Sequence, residues 1–349
     1  MSSGIRIVNH MALLLKLAAL FFFFSAAFAR SNQTVGSLRS FKLSENVTYD
    51  CIDIYKQPSL DHPLLKNHKI QMKPSVPRPG FKNQTDDNET YKNKIDCPDG
   101  TVPILRTTKE YVSNAQRFSE LHFNPLTADS PGTHISGVRA TRGAPYHGVE
   151  AWFTVFELNI AKDQASYASI YLGTETNFIS AGWMINPGLF GDQRVWSYGF
   201  WRGKGGKGCY NLICPGFIQD KQTGNWWLTE LIKNKPNVDI GYWPKELFDS
   251  LSDGAKMVGA GGTVQASPSG SSPPMGNGQR PSRHFKDSGV FTNVEVLNSK
   301  YERRNIISGP VDALLDSEKC YGLRFGNNLF SYLGFYFNYG GPGGNSCGV

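Results

Sequence analysis

After Ser130-Pro131-Gly132 the chain falls into short runs in which apolar and polar residues alternate, set apart by turns rich in glycine and proline. Glu150-Ala151-Trp152-Phe153-Thr154-Val155-Phe156-Glu157-Leu158 is one such run; Tyr167 to Leu172, Asn177 to Asn186, Arg194 to Trp201, Trp226 to Ile232 and Gly289 to Asn298 continue the series. A period of two sends successive side chains to opposite faces of a pleated strand, so each run reads as a strand with a buried face. Strands at this spacing predict an all-β sandwich or barrel and argue against a βαβ fold. Aromatics at 13% and 37 glycines fit a sheet-rich fold with many turns. Pro268 to Pro281 reads as a flexible loop, and the glycine-rich tail Asn338 to Val349 would be loose unless Cys347 tethers it.

The first half has a different texture. Arg6, His10 and Lys16, an apolar run from Leu17 to Phe28 and the small-residue motif Ala27-Phe28-Ala29 read as a signal peptide over 1–29, cleaved before Arg30. The alternative is a membrane anchor, but the run is shorter than the roughly 20 residues a spanning helix needs. The mature protein is therefore expected to be secreted and free of the membrane. From Arg30 to about Pro125 the chain is polar and rich in proline, with one apolar island, Cys51-Ile52-Asp53-Ile54-Tyr55. Such proline density excludes long helices; Thr107 to Phe118 is the one short helix expected. N-x-[ST] acceptors at Asn32, Asn46, Asn83 and Asn88 all lie in this part, as on an exposed glycosylated segment.

Six cysteines, an even number in an oxidising compartment, imply disulfides. Cys209 and Cys214 are close enough to staple a hairpin end. Cys320 and Cys347 would tie down the tail, which leaves Cys51 and Cys97 to close a loop in the first half, one of fifteen possible pairings. Net charge is +7, which in a secreted protein points to an acidic polysaccharide or anionic surface rather than nucleic acid; a solvated basic surface explains it equally well.

Familiar catalytic patterns fail on spacing. His122, His134, His147 and His284 form no ligand pattern and no C-x-x-C occurs, so no metal or other cofactor is expected. No G-x-S-x-G elbow is present. The basic loop Arg202-Gly203-Lys204-Gly205-Gly206-Lys207-Gly208 is followed by neither Ser/Thr nor a helix and reads as a hairpin turn, not a phosphate cradle.

Two long stretches carry a resemblance. Tyr49-Asp50-Cys51-Ile52-Asp53-Ile54-Tyr55-Lys56-Gln57-Pro58, continuing through D-H-P-L-L-K-N-H-K-I-Q-M-K-P-S at 61–75, resembles the activation peptide of the plant neprosin family. A-G-W at 181–183, Tyr198 to Trp201, G-C-Y-N-L-I-C-P-G-F at 208–217, T-G-N-W-W-L at 223–228, G-Y-W-P-K-E-L-F at 241–248 and P-P-M-G-N-G at 273–278 are similar, in order, to its catalytic domain. The resemblance implies a secreted zymogen of a glutamic endopeptidase. A mostly irregular propeptide over 30–128 would cover the cleft of an antiparallel β-sandwich over 129–349 that cleaves after proline at acid pH. Two glutamates carry that chemistry: one activates water while its protonated partner stabilises the oxyanion.

Both glutamate positions are altered here. The family's first glutamate precedes A-G-W, where this chain has Ser180; its second lies in a run like G-G-E-V, where this chain has Thr263. Neither hydroxyl can act as a base near acid or neutral pH. A third departure is the region around 219–223, where Asp220-Lys221-Gln222 replaces a longer family segment. Losing strands there would expose backbone and core, through either a rearranged fold or missing coding sequence. Glu175 and Glu230 are the carboxylates considered as substitutes, each with a plain reading as a solvated charge. The expected protein is a neprosin-like peptidase homologue of the apoplast or cell wall, inactive, that binds Pro-containing peptides or acidic wall polysaccharide. The alternative is an active prolyl endopeptidase using other carboxylates. Trp183, Trp201, Trp226, Trp227 and Trp243 are candidates for a ligand surface, with buried core as the competing reading. Oligomeric state is left open, and the propeptide junction is expected between about Leu121 and Gly137.

Overall fold

A computed structural model describes residues 37–45, 47–75, 95–121, 131–206, 208–210, 218–231, 237–308, 310–326 and 333–348. The expected signal peptide, all four glycan acceptors and Cys214 lie outside these residues.

The N-terminal region is largely irregular, but it contains a small antiparallel sheet that proline density had hidden. Strands β1 (Arg39–Ser44), β2 (Val47–Asp53) and β3 (Thr101–Leu105) lie side by side in that order. The apolar island supplies β2, and its buried Cys51 is bonded to Cys97, just ahead of β3. This closes a loop with a sequence separation of 46 residues, which restricts the unfolded chain and so favours the small sheet. Residues 58–75 follow as 3-10 turns and bends. Helix α1 (Lys109–Leu121) begins where Thr108 accepts the Tyr111 N–H through its hydroxyl at 3.0 Å, satisfying one of the donors a helix start leaves free.

The rest of the chain supplies β4 (Thr133–Ala140), β5 (Gly148–Phe153), β6 (Ala165–Gly173), β7 (Phe178–Ile185), the short helix α2 (Pro187–Phe190), β8 (Trp196–Arg202), β9 (Gly208–Tyr210), β10 (Ile218–Gln219), β11 (Trp226–Glu230), β12 (Val238–Trp243), β13 (Met257–Gln265), β14 (Gly289–Leu297), β15 (Arg303–Asn305), β16 (Val311–Leu315), β17 (Gly322–Phe325) and β18 (Phe337–Gly340). One sheet runs β16-β4-β13-β6-β7-β8-β9 and the other β12-β11-β10-β5-β14-β18-β17, with β15 also paired to β14. The recorded strand pairs are antiparallel, as expected for a sandwich. Between the sheets lie Val258, Ala260 and Val264 of β13, Ile170 and Leu172 of β6, and Ile179, Ala181 and Trp183 of β7. Val149, Phe291, Val296 and Phe337 of the second sheet share that core. Phe291 stacks on Phe153 and Phe337 at 4.9 and 5.0 Å between ring centroids. Each such buried side chain contributes about 1.5–3 kcal/mol.

Several expectations need correction. The run from Glu150 leaves the sheet after Phe153, and that from Trp226 ends at Glu230. Strand β13 was not read from its sequence because Gly259, Gly261 and Gly262 lower β propensity and break the alternation. Those glycines answer to close neighbours. The Tyr171 ring crosses Gly259, where a Cβ would overlap it, and its hydroxyl donates to the Val138 carbonyl at 2.8 Å; Tyr339 lies against Gly262. The stretch 268–281 is a loop, but one pinned to the tail by bridges Ser272 to Gly344 and Met275 to Gly341. Cys320 and Cys347 are bonded and hold that tail to the body.

The shortened region around 219–223 closes without leaving a gap. Ile218 of β10 pairs with Gly148 of β5 on one side and Trp227 of β11 on the other, and residues 220–225 turn tightly between β10 and β11. Asp220 donates its N–H to the Asn225 carbonyl and accepts that of Gly224, both at 2.7 Å.

Candidate functional site

Ser180 and Thr263 fall on one face of the seven-stranded sheet, the face turned away from the core. Thr263 of β13 stands opposite Tyr167 of β6, and Ser180 of β7 stands opposite Tyr171 of the same strand, so the two flank β6 diagonally. The cross-strand row between them is Gly137, Gly261, Ser169 and Gly182, nearly devoid of side chains. Both positions are buried, at 1% and 3% exposure, and both are tied to tyrosines. Ser180 Oγ lies 3.0 Å from Tyr198 Oη, and Tyr198 also bonds to Ser169. The Tyr167 hydroxyl bonds to the Thr263 side chain, and the Tyr167 and Tyr198 rings meet edge to face at 5.8 Å. Two hydroxyl pairs, Thr263 with Tyr167 and Ser180 with Tyr198, are thus brought side by side by the contact of the two tyrosine rings.

Neither tyrosine titrates where hydrolysis of peptides needs an acid and a base. Burial pushes the Tyr198 phenol up to about 12, against hydrogen bonds to Ser169 and Ser180 that lower it. Burial also raises Tyr167 well above its ordinary value, with neighbouring Tyr198 adding to the effect and Thr263 opposing it. By register, the strands carry one carboxylate on this face among the described residues, Asp312 of β16, and it lies 3.8 Å from the Arg139 guanidinium of β4.

The face is covered from the N-terminal region. Tyr111 and Ala115 of α1 join Tyr167, Tyr171, Phe178, Met184, Tyr198 and Phe200 in a second apolar cluster, with Phe118 at its margin. Asn114 Nδ2 donates to the Gly188 carbonyl of α2 at 2.9 Å. A second segment, 62–75, lies over β11, β12 and the turn before β11. Its Leu65 enters the main core, and His68 Nε2 meets Tyr242 Oη at 2.7 Å.

Glu175 is exposed in the β6–β7 turn and Glu230 is exposed at the end of β11, in the other sheet; the structure brings neither to the Ser180 face. A closer carboxylate pair escaped the sequence reading. Glu150 of β5 and Glu295 of β14 stand directly opposite one another, and Arg303 of β15 grips both, its Nε 2.7 Å from Glu295. Burial raises the Glu295 carboxyl, and a small cavity lined by Val149, Ile218 and Leu297 adjoins the pair. Each residue occupied a polar position of an alternating run; only strand register could join them. Of the five tryptophans considered for a ligand surface, Trp183, Trp201, Trp226 and Trp243 lie in the core between the sheets. Trp227 faces outward and is buried, with Gln71 of segment 62–75 at its indole N–H.

The family model described as Neprosin matches residues 162–220 and 218–342, in two pieces that meet at the β10–β11 turn. The model described as Neprosin activation peptide matches residues 40–142, a span that takes in the N-terminal sheet, α1 and β4.

Proposed function

Because this chain belongs to the neprosin family, peptidase-like proteins with an activation peptide, we propose that it is a secreted homologue in which the two-carboxylate chemistry has been lost. One observation carries this reading. The positions matching the family's two glutamates hold Ser180 and Thr263, whose hydroxyls are engaged by tyrosines on a face where the one strand carboxylate among the described residues, Asp312, faces Arg139. A serine or threonine hydroxyl neither accepts a proton from water nor holds a charge at acid pH, so peptide hydrolysis loses its base and its oxyanion stabiliser together. The covered face is then a binding surface, and its partners in this reading are Pro-containing peptides or acidic wall polysaccharide, the latter matched to the net charge of +7. Helix α1 acts as its lid.

The test is acid activation of the purified full chain, followed by an assay on a quenched proline-containing peptide, with the double variant Ser180→Glu, Thr263→Glu in parallel. The expected result is a silent wild type and a double variant that cleaves. Silence in both would trace the loss to the altered β10–β11 region. Cleavage by the wild type would overturn the proposal. It would favour the second reading, an active peptidase using other carboxylates, for which the facing pair Glu150 and Glu295 is the observation in support; Glu150→Gln and Glu295→Gln would then abolish activity.

A further inference from the structure

The side-chain amide of Gln71 is held by the outer surface of β11 and the turn before it as a ligand is held. Its Oε1 accepts from Thr223 Oγ1 at 3.0 Å, Asn225 Nδ2 at 2.8 Å and the Trp227 indole N–H at 3.3 Å. Its Nε2 donates to Asp220 Oδ2 at 3.0 Å and to Ser75 Oγ at 3.1 Å. The backbone N–H of Gln71 donates to Tyr242 Oη at 2.8 Å, and the Ser75 N–H donates to Asp220 Oδ2 at 2.5 Å. An indole N–H can only donate and a carboxylate can only accept, so the amide has one possible orientation.

The pocket is organised by residues other than those it binds. Asp220 Oδ1 accepts the N–H groups of Gln222 and Thr223 at 2.9 and 3.0 Å, which aims Oδ2 outward. Asn225 Oδ1 accepts the Lys245 N–H at 3.1 Å, which turns Nδ2 toward Gln71. Trp227 is braced against Tyr242, with ring centroids 4.9 Å apart. Such an arrangement selects by exclusion as well as attraction. Glutamate would set a carboxylate against Asp220; methionine would leave Asp220 and the indole N–H unpaired; asparagine is a methylene too short.

We propose that this surface is a recognition site for a glutamine side chain presented by an extended peptide, filled in cis by Gln71 and open to a peptide in trans once segment 62–75 lifts away. Lifting during maturation rests on the activation-peptide reading above; the amide selectivity does not. It uses a face of the molecule different from the Ser180 face, and it gives the outward Trp227 a role that a core tryptophan lacks.

The experiment uses the full chain carrying His68→Ala, Gln71→Pro and Ser75→Pro, which removes the His68 ring, the Gln71 amide and the two backbone N–H groups that grip Tyr242 and Asp220. Fluorescence anisotropy then reads binding of a labelled octapeptide copying residues 68–75, alongside copies in which its glutamine is replaced by glutamate or methionine. The glutamine peptide is expected to bind at least about tenfold more tightly than either copy, since each copy leaves a buried donor or acceptor unpaired. Adding Asp220→Asn to the chain replaces the acceptor with an amide and should turn the preference toward the glutamate copy. Equal binding of the three peptides, or no binding of the glutamine peptide, overturns the proposal. A flat series would show that apolar contacts around Leu64 and Leu65 alone hold the segment.

Discussion

At the residue scale, Ser180 is a buried hydroxyl held by its neighbours. Its Oγ shares a hydrogen bond with Tyr198 inside a buried cluster, and Tyr198 in turn is held by Ser169 and abuts Tyr167. Ser180→Ala should therefore destabilise the protein by about 1 kcal/mol through the lost bond, read as a shift in the urea midpoint with unchanged slope. Alternation set it opposite in facing to Ala181, which lies in the core. Its tyrosine partners were not legible, because Tyr198 reaches it from the next strand. The same limit hid Glu150 and Glu295: they are 145 positions apart in the chain and directly opposite in the sheet.

At the element scale, α1 decides whether the Ser180 face meets solvent. Thr108 starts the helix, and the spacing of Tyr111, Ala115 and Phe118 puts all three on one side. Tyr111→Ala removes the ring that meets Phe190 and seats the helix on the tyrosine cluster. By analogy with core truncations it should weaken the packing of α1 by about 2–4 kcal/mol. Hydrogen exchange would then rise in β7 and β8, while β14 in the opposite sheet keeps its protection; unchanged exchange in β7 and β8 would refute the lid role. Helix α1 was expected over Thr107 to Phe118 and occurs within two or three residues of that. Strand β13 was missed because three glycines serve neighbouring rings and strands, a reason that lies outside its own segment.

At the scale of the whole molecule, the N-terminal region and the sandwich are joined by contacts that acid should loosen. Neither described disulfide crosses between them: Cys51 to Cys97 lies within one, and Cys320 to Cys347 within the other. Burial alone would raise the Asp220 carboxyl, but hydrogen bonds from the Ser75 and Thr223 N–H groups, Gln71 and the Gln222 N–H outweigh it and hold the group below its ordinary 3.8. Asp50 is likewise lowered, chiefly by its hydrogen bond with Arg106. For a group whose folded pKa is depressed, the stabilisation is complete above the ordinary value and disappears as pH falls through the folded value. Docking of segment 62–75 through Asp220 should thus be intact at pH 5 and weaken below about pH 4, while loss of the Asp50–Arg106 pair loosens the N-terminal sheet internally. Protection from exchange at the Ser75 and Gln71 amides, relative to the intrinsic rate at each pH from 6 to 2.5, should be lost before that of β6 and β13. Simultaneous loss in all four would show that no separate release occurs. The sequence by itself determined the all-β class, most strand positions and the activation-peptide likeness, because each is written in local alternation or contiguous motifs. Only the tertiary structure decided the order of strands in the two sheets, the cover over the Ser180 face, the closure at β10–β11 and the glutamine pocket, because each depends on residues distant in the chain meeting at hydrogen-bonding range.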